Sequence, residues 1–166
     1  MKIAVLSDTH MPKRAKLLPD TVINEIKDTD MIIHAGDWTS LEVYEELKRI
    51  APVIGVYGNV DPPEVQEFFE VRKIVEVGKI KIGIIHGHLG KKKTTPERAL
   101  EAFQHEKMDI ITFGHSHIPY LQTHGETILF NPGSPTDKRF QPKFSYGIIT
   151  INEGEPIEVK HVFFPN

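Results

Sequence analysis

Short apolar runs alternate with polar segments along this chain, and five of the runs end in a cluster of polar residues and glycine. Apolar runs of this length, bounded in this way, predict buried strands. The runs and the residues after them are Ile3–Leu6 before Asp8 and His10, Met31–Ala35 before Gly36 and Asp37, Val53–Tyr57 before Gly58 and Asn59, Ile82–Ile85 before His86 and His88, and Ile110–Phe113 before Gly114, His115 and His117. Because strands of one parallel sheet end on the same edge, we expect these clusters to converge on one crevice.

Apolar residues at helical spacing fill the intervals between the first strands. Leu18-Pro19-Asp20 opens one helix, residues 41–50 form a second with Ser40 as its cap, and residues 64–69 form a short third. Pro96 starts a fourth helix, for which Thr95 is the expected cap. Residues 71–77 and 79–85 read as two strands that meet at Gly78, a hairpin that need not be parallel.

The second half of the chain is strand-rich, with strands predicted over residues 120–123, 127–130, 146–151 and 157–163. A helix-rich first half and a strand-rich second half favour an α/β fold, a four-layer α/β/β/α sandwich of two mixed sheets. With 166 residues, 39% of them hydrophobic, the chain suffices for one compact domain, which we assign to residues 1–166.

Composition excludes several kinds of chemistry. The chain has no cysteine, so disulfides, thiolate metal sites and a cysteine nucleophile are excluded. A net charge of -3 gives no general reason to expect nucleic acid or an anionic membrane as a partner. The apolar run at residues 3–6 is too short for a signal peptide or a membrane span, so we expect a cytoplasmic protein.

The polar clusters contain the donors of a metal site. Taken singly, an Asp-x-His or His-x-His sequence is weak evidence, but five clusters at five strand ends reverse that judgement. There are seven donors, too many for one tetrahedral ion, and they fit two ions about 3.5 to 4 Å apart with Asp37 as the bridging carboxylate on a central strand. They are Asp8, His10, Asp37, Asn59, His86, His115 and His117. Such a pair of ions promotes attack of a bridging hydroxide on a phosphate ester, which predicts a hydrolase.

These motifs resemble the ordered motifs of the calcineurin-like metallophosphoesterase superfamily, most closely its small, capless phosphodiesterase branch. The resemblance covers essentially the whole chain and extends to residues 131–134, Asn-Pro-Gly-Ser. It implies that Asp8, His10, Asp37 and His117 hold the first ion, while Asp37, Asn59, His86 and His115 hold the second. It also implies manganese, although the same donors suit nickel, zinc, iron and cobalt.

One position departs from the family pattern. Many relatives have histidine where this chain has Val60, and there the histidine contacts phosphate and is often assigned as the acid for the leaving group. Valine has no proton to donate, so we expect the proton to come from metal-bound water or from His88. The expected catalytic residues are therefore Asp37, Asn59 and His88, and the expected substrate-binding residues are Asn59, His88 and Lys91.

Other polar residues near the motifs favour structural roles. Asp61 is expected to accept hydrogen bonds, whereas His34 and Trp38 are expected to pack in the interior. Lys91 belongs to a run of three lysines that either lines the crevice or is a solvated loop. Residues 131–134 either turn backbone amides toward the site or form a simple turn.

Two other functions remain open. The retromer coat subunit has a similar sequence, including Met11-Pro12-Lys13-Arg14, so a metal-binding scaffold for protein interactions is an alternative. A nuclease is a third interpretation, favoured by the lysine run and opposed by the acidic balance. The leading expectation is a metal-dependent phosphodiesterase, or a broad phosphatase, acting on a small phosphate ester without nucleic acid or membrane partners. A homo-oligomer remains open.

Overall fold

The computed structural model describes residues 1–165, and within them the chain forms ten strands and four helices. In chain order the elements are β1 Lys2–Leu6, α1 Asp20–Ile26, β2 Met31–His34, α2 Glu42–Lys48, β3 Val53–Gly55, α3 Pro63–Phe68, β4 Arg72–Val77, β5 Ile80–Ile85, α4 Thr95–Ala102, β6 Ile110–Thr112, β7 Tyr120–His124, β8 Thr127–Asn131, β9 Phe144–Thr150 and β10 Glu158–Phe164.

The strands form two five-stranded mixed sheets, in the orders β10-β9-β1-β2-β3 and β4-β5-β6-β8-β7. In the first sheet β1 pairs in parallel with β2, and β2 with β3. In the second sheet β5 pairs in parallel with β6, and β6 with β8. The expectation that all five motif strands share one parallel sheet is therefore wrong. The central strand of the first sheet is β1, so β2, which leads to Asp37, is not central as we expected.

Three apolar clusters build the four predicted layers. The inner cluster lies between the sheets and joins Ile3 and Val5 of β1 to Ile82 and Ile84 of β5. One outer cluster packs α1, α2 and α3 on the first sheet, and the other packs α4 on the second sheet. The two sheets therefore stack face to face with helices outside, which confirms the predicted α/β/β/α sandwich.

One of the two predicted helix caps is wrong. The N-cap of α4 is Thr94, which has extended backbone and accepts a hydrogen bond from the Glu97 N–H at 3.3 Å, so Thr95 is already helical. At α2, Leu41 directly precedes the helix but already has helical dihedral angles, and the Ser40 hydroxyl accepts from the Glu42 N–H at 3.2 Å, so Ser40 supplies the expected side-chain cap. The third strand also ends at Gly55 rather than Tyr57, because Val56 makes only an isolated bridge to Glu70.

None of the helices formed by residues 1–165 combines the length and the apolar character that a membrane span needs.

Candidate metal centre

The loops that follow β1, β2, β5 and β6 meet at one end of the sandwich. Hydrogen bonds join them directly: the Asp8 N–H donates to the Gly36 carbonyl at 2.9 Å, and the Gly114 N–H donates to the His86 carbonyl at 3.0 Å. The two sheets are stacked so that their parallel strands end on the same side. The predicted convergence of the polar clusters is correct, although the clusters come from two sheets instead of one.

Five of the seven predicted ligands have a left-handed backbone, with positive φ: Asp8, His10, Asp37, His115 and His117. Non-glycine residues rarely adopt this conformation, and it accumulates at functional sites. Each of these residues lies just beyond a strand, where the chain turns sharply. The turn directs its side chain back into the space between the loops.

One group of donors consists of Asp8, His10 and His117, all buried. The Asp8 Oδ1 atom lies 3.8 Å from His10 Nε2 and 3.5 Å from His117 Nε2. The His117 Nδ1–H donates to the Asp137 carbonyl at 2.5 Å, which leaves Nε2 with a lone pair directed at Asp8. An ion bound at 2.0–2.2 Å separates adjacent donors by about 3 to 3.5 Å, so a small closure would complete this group.

A second group consists of Asp8, Asp37 and His86. The Asp37 Oδ2 atom lies 3.2 Å from His86 Nε2 and 3.6 Å from His10 Nε2, so this one oxygen lies between the two groups. The other carboxylate oxygen, Oδ1, accepts from the Val60 N–H at 3.1 Å. The His86 Nδ1–H donates to the Ala35 carbonyl at 2.7 Å, so Nε2 is the nitrogen that faces the two carboxylates. This position of Oδ2 suits the bridging role predicted for Asp37.

The strongest sign that cations belong here is a set of buried polar atoms without hydrogen-bond partners. Four of them face one another: Asp8 Oδ1, His10 Nε2, His86 Nε2 and His117 Nε2. A buried polar atom left unpartnered costs free energy, so four in one place call for a common partner. One carboxylate oxygen and three imidazole nitrogens are donors that a divalent transition metal accepts. The residues present therefore fit a metal.

The pKa values of the metal-free protein agree with a strongly coupled cluster. Burial alone would raise the pKa of Asp8, but His86, His10 and His117 more than offset it, and the pKa falls well below its usual range. Burial likewise opposes the charged form of His86, but Asp8 and Asp37 raise its pKa to about 9. The negative charge of the two carboxylates therefore attracts a positive charge, which a metal ion supplies.

Asn59, His115 and His88 lie at the more exposed side of the cluster. The His115 Nδ1 and Asn59 Oδ1 atoms are 3.1 Å apart, which places both predicted ligands together. The His86 ring lies 5.2 Å from the His115 ring and 5.4 Å from the His88 ring, between centroids. Burial, together with His86 and His115, lowers the pKa of His88 to about 4, so its imidazole is neutral at pH 7.

Asp61 is a structural acceptor, as predicted. It is buried, and its Oδ2 accepts from the N–H groups of Asp37 at 2.9 Å and Gly58 at 2.7 Å, while Oδ1 accepts from the Thr39 N–H at 2.7 Å. Three N–H groups of two different loops thus depend on one carboxylate. Asp61 holds the loop of Asp37 without facing the cluster.

The segment 131–134 braces the ligand loops through its side chains, a role that neither of the two expectations described. The Asn131 side-chain amide donates to the Gly114 carbonyl at 3.0 Å. The Ser134 hydroxyl donates to the Asp8 carbonyl at 2.7 Å and accepts from the Asp137 N–H at 2.8 Å. Sequence reasoning missed Asp137 altogether, because a lone aspartate three residues after a turn carries no signal. Its carbonyl orients His117.

Of the remaining predicted residues, Trp38 and His34 are buried and Lys91 is exposed. Trp38 is fully buried, stacks on His34 at 3.7 Å and donates from Nε1 to the Val56 carbonyl at 2.8 Å, so both residues pack as predicted. His34 accepts from the Gly36 N–H at 3.1 Å. Lys91 is exposed, and its backbone N–H donates to the Glu101 carboxylate at 2.9 Å. Substrate binding by Lys91 stays a prediction.

Comparisons with known proteins agree with this geometry. The family model described as the calcineurin-like phosphoesterase superfamily domain matches residues 1–154. A probable metallophosphoesterase of Methanocaldococcus jannaschii is 34% identical over 160 residues, covering 96% of this chain and 80% of that protein. A solved archaeal phosphodiesterase superposes with a TM-score of 0.74 at 25% identity, covering 99% of this chain and 100% of that one. Vps29 of Entamoeba histolytica, solved with zinc, gives a TM-score of 0.80 at 23% identity and covers 98% and 99%, which shows the fold alone.

Proposed function

The chain belongs to the calcineurin-like phosphoesterase superfamily, and from that premise we propose that it hydrolyses phosphodiester bonds with two divalent ions held around Asp37. The observation that supports this most directly is the set of four buried, unpartnered donor atoms that face one another. The likeness to a solved archaeal phosphodiesterase favours a diester as the substrate.

The residues divide between two ions. Asp8, His10, Asp37 and His117 would hold one ion, and Asp37, Asn59, His86 and His115 would hold the other. The position of Asp37 Oδ2 between His10 Nε2 and His86 Nε2 supports a shared carboxylate. When bound, the ions supply positive charge that lowers the pKa of water and draws charge from the phosphate oxygens. Manganese is the proposed metal, on the strength of the family resemblance.

The protein itself holds the ligand loops in position. Asp61 and Ser134 fix the loops of Asp37 and Asp8, so the donors do not need to reorganise when the substrate arrives. Asn59 and His88 lie at the open side, where we expect them to contact the phosphate, with Lys91 on the adjacent loop. With a pKa of about 4, His88 has no imidazolium proton at neutral pH, which favours water as the source of the leaving-group proton.

The test is hydrolysis of bis(p-nitrophenyl) phosphate with added Mn²⁺. We expect Asp37→Asn to lower kcat/KM more than about 100-fold, because it weakens the ligand that both ions share. Asp28→Asn, the same substitution at an exposed aspartate, serves as the matched control and should leave the rate unchanged. Thermal unfolding without metal checks that both variants fold.

Metal analysis separates this function from its alternatives. Two equivalents of Mn²⁺ per chain are expected, and a single equivalent would contradict the dinuclear site. A protein that binds two equivalents yet hydrolyses no phosphoester would instead support the metal-binding scaffold that the sequence left open. Tight, salt-sensitive binding of DNA or RNA would support the nuclease.

A further inference from the structure

The surface beside the metal centre carries a cation that the reaction described above does not use. We infer that Arg14 binds a second anionic group on the substrate, so that the preferred substrates are phosphodiesters carrying another phosphate and a flat organic group. This inference rests on the proposed function, since it concerns what else the same site recognises.

Arg14 is attached to the metal centre at two points. Its backbone N–H donates to the carbonyl of the ligand His10 at 2.8 Å. Its Nε atom lies 3.4 Å from the Asp137 Oδ2 atom, and the Asp137 carbonyl accepts the hydrogen bond from the ligand His117. Only the Asp137 residue and the His117 imidazole thus separate the guanidinium from the first group of donors. We infer that a second phosphate on a substrate bound at the metal centre reaches Arg14.

The ion pair with Asp137 orients the Arg14 side chain but leaves most of its N–H donors unused. The Asp137 side chain is 9% exposed, whereas that of Arg14 is 59% exposed. Guanidinium has five N–H donors, and the contact to Asp137 uses Nε, so the two terminal nitrogens remain available to an anion. As a structural brace the pair would contribute little, because solvent screens an ion pair whose arginine is this exposed. Binding of an anion therefore explains the position of Arg14 better than a contribution to folding stability does.

A cleft of about 450 Å³ opens next to Arg14. Phe144 and Phe164 line it and stack on each other with ring centroids 5.6 Å apart. Thr136 also lines it, and its hydroxyl donates to the carbonyl of Thr9 at 2.6 Å, beside the ligands Asp8 and His10. The cleft is therefore bonded to the loop that carries Asp8 and His10, and its volume suits a small organic group.

Two cations lie at this cleft, one of them Arg14 with its partner Asp137. Among the described residues that line it, Arg14 is the charged one, and the others are apolar or neutral. The Lys138 ammonium lies 5.7 Å from the Phe144 ring centroid, which brings a second cation to the same wall. Two aromatic rings with two cations beside them form a surface for a ring system that carries a phosphate. A nucleoside with phosphates at two positions has this chemistry.

The experiment compares two substrates that differ by one phosphate: the p-nitrophenyl ester of thymidine 5′-phosphate, with and without a 3′-phosphate. The leaving group is the same, so the ratio of kcat/KM values reports the second anion alone. We expect the wild-type protein to prefer the 3′-phosphorylated substrate, and Arg14→Gln to reduce that ratio about 10- to 100-fold, mainly through KM. Lys13→Gln, at the exposed neighbouring cation, should leave the ratio unchanged.

The outcomes are distinguishable. If Arg14→Gln lowers kcat/KM equally for both substrates, or lowers the metal content, Arg14 is only a brace and the inference is wrong. If neither substrate is hydrolysed by the metal-loaded wild-type protein, the proposed function fails instead. Calorimetric titration with thymidine 3′,5′-bisphosphate then still tests Arg14, because binding requires no turnover. Binding that is at least tenfold weaker in Arg14→Gln supports the inference, and equal binding overturns it.

Discussion

The clearest consequence of the structure concerns a serine that touches no metal ligand side chain. The Ser134 hydroxyl is buried and makes three hydrogen bonds: it donates to the Asp8 carbonyl at 2.7 Å and accepts from the N–H groups of Asp137 at 2.8 Å and Thr136 at 3.2 Å. Ser134→Ala removes the oxygen without adding bulk. The Asp8 carbonyl and the Asp137 N–H would lose a partner inside the protein.

Each orphaned buried group costs about 1 to 3 kcal/mol. Thr136 is only half-buried, so its N–H can turn to water, and two buried groups remain. We therefore expect Ser134→Ala to lower the free energy of unfolding by about 3 kcal/mol, which corresponds to a fall in Tm of roughly 6 to 12 °C for a chain of this size. Because Asp8 and Asp137 position the first group of donors, Mn²⁺ affinity should fall as well.

Ser145→Ala is the matched control. Ser145 is equally buried, but its hydroxyl makes one hydrogen bond, to the Pro132 carbonyl at 2.7 Å. We expect Ser145→Ala to lower the free energy of unfolding by about 1 to 2 kcal/mol and to leave the Mn²⁺ affinity unchanged. Urea denaturation of the metal-free proteins measures the stability, and repeating it with Mn²⁺ gives the stabilisation by metal. Equal losses in the two variants, or unchanged Mn²⁺ stabilisation in Ser134→Ala, would refute the bracing role.

Three further predictions follow from individual side chains. The half-exposed Val60 has no proton to donate, so turnover of aryl phosphodiesters should fall steeply as the leaving-group pKa rises, and Val60→His should flatten that dependence; a flat wild-type plot with chemistry rate-limiting would contradict it. A Cβ at Gly114 would lie 2.6 Å from Asp8 Oδ2, so Gly114→Ala should reduce the Mn²⁺ content of the protein. It should also lower the free energy of unfolding, measured by urea denaturation, by about 1 to 3 kcal/mol. Burial lowers the pKa of His34 to about 3, below its unfolded value, so its contribution to stability is present above pH 6.5 and is lost as the pH falls toward 3. Between pH 6.5 and 5, His34→Asn should therefore show a slope of unfolding free energy against pH that is smaller than that of the wild type by up to ~1.4 kcal/mol per unit. Identical slopes would show that His34 has the same pKa in the folded and the unfolded protein.

The fold was largely predictable because apolar periodicity reports burial. It does not report which strand pairs with which, and this is why the motif strands were wrongly assigned to one sheet. Ile3 and Val5 of β1 and Ile82 and Ile84 of β5 are all buried in the same inner cluster. Continuous apolar runs look alike in either sheet, so only the pairing seen in the structure separates them.

The cap of α4 illustrates a different limit. Thr94 and Thr95 have the same side chain and differ only in backbone conformation. Thr94 has φ -104° and ψ 156°, which directs its hydroxyl at the Glu97 N–H, whereas Thr95 already belongs to the helix. A sequence of two threonines cannot distinguish these positions, because the preference for a cap acts on the type of residue and not on its dihedral angles.

The donors themselves could be found from the sequence, since their residue types and their places after strands are both readable there. The residues that hold these donors in place could not be found in the same way. Ser134 and Asp8 are 126 positions apart, and the carbonyl of Asp8 and the N–H of Asp137 that bond to Ser134 are backbone groups that do not depend on the side chain. Backbone partners of this kind leave no trace in residue identity.

The left-handed backbone of Asp8, His10, Asp37, His115 and His117 ties these observations together. Each such residue costs of order 1 kcal/mol or more, so the surrounding structure must hold it in place. The groups that do so lie within the protein: the Gly36 carbonyl accepts from the Asp8 N–H, the Asp37 carbonyl accepts from the His10 N–H, and Asp61 accepts from the Asp37 N–H. Since none of these bonds involves a donor atom of the cluster, the ligand arrangement is formed by folding itself. Hydrogen bonds away from the donor atoms therefore offset the conformational free energy of the site before a cation binds.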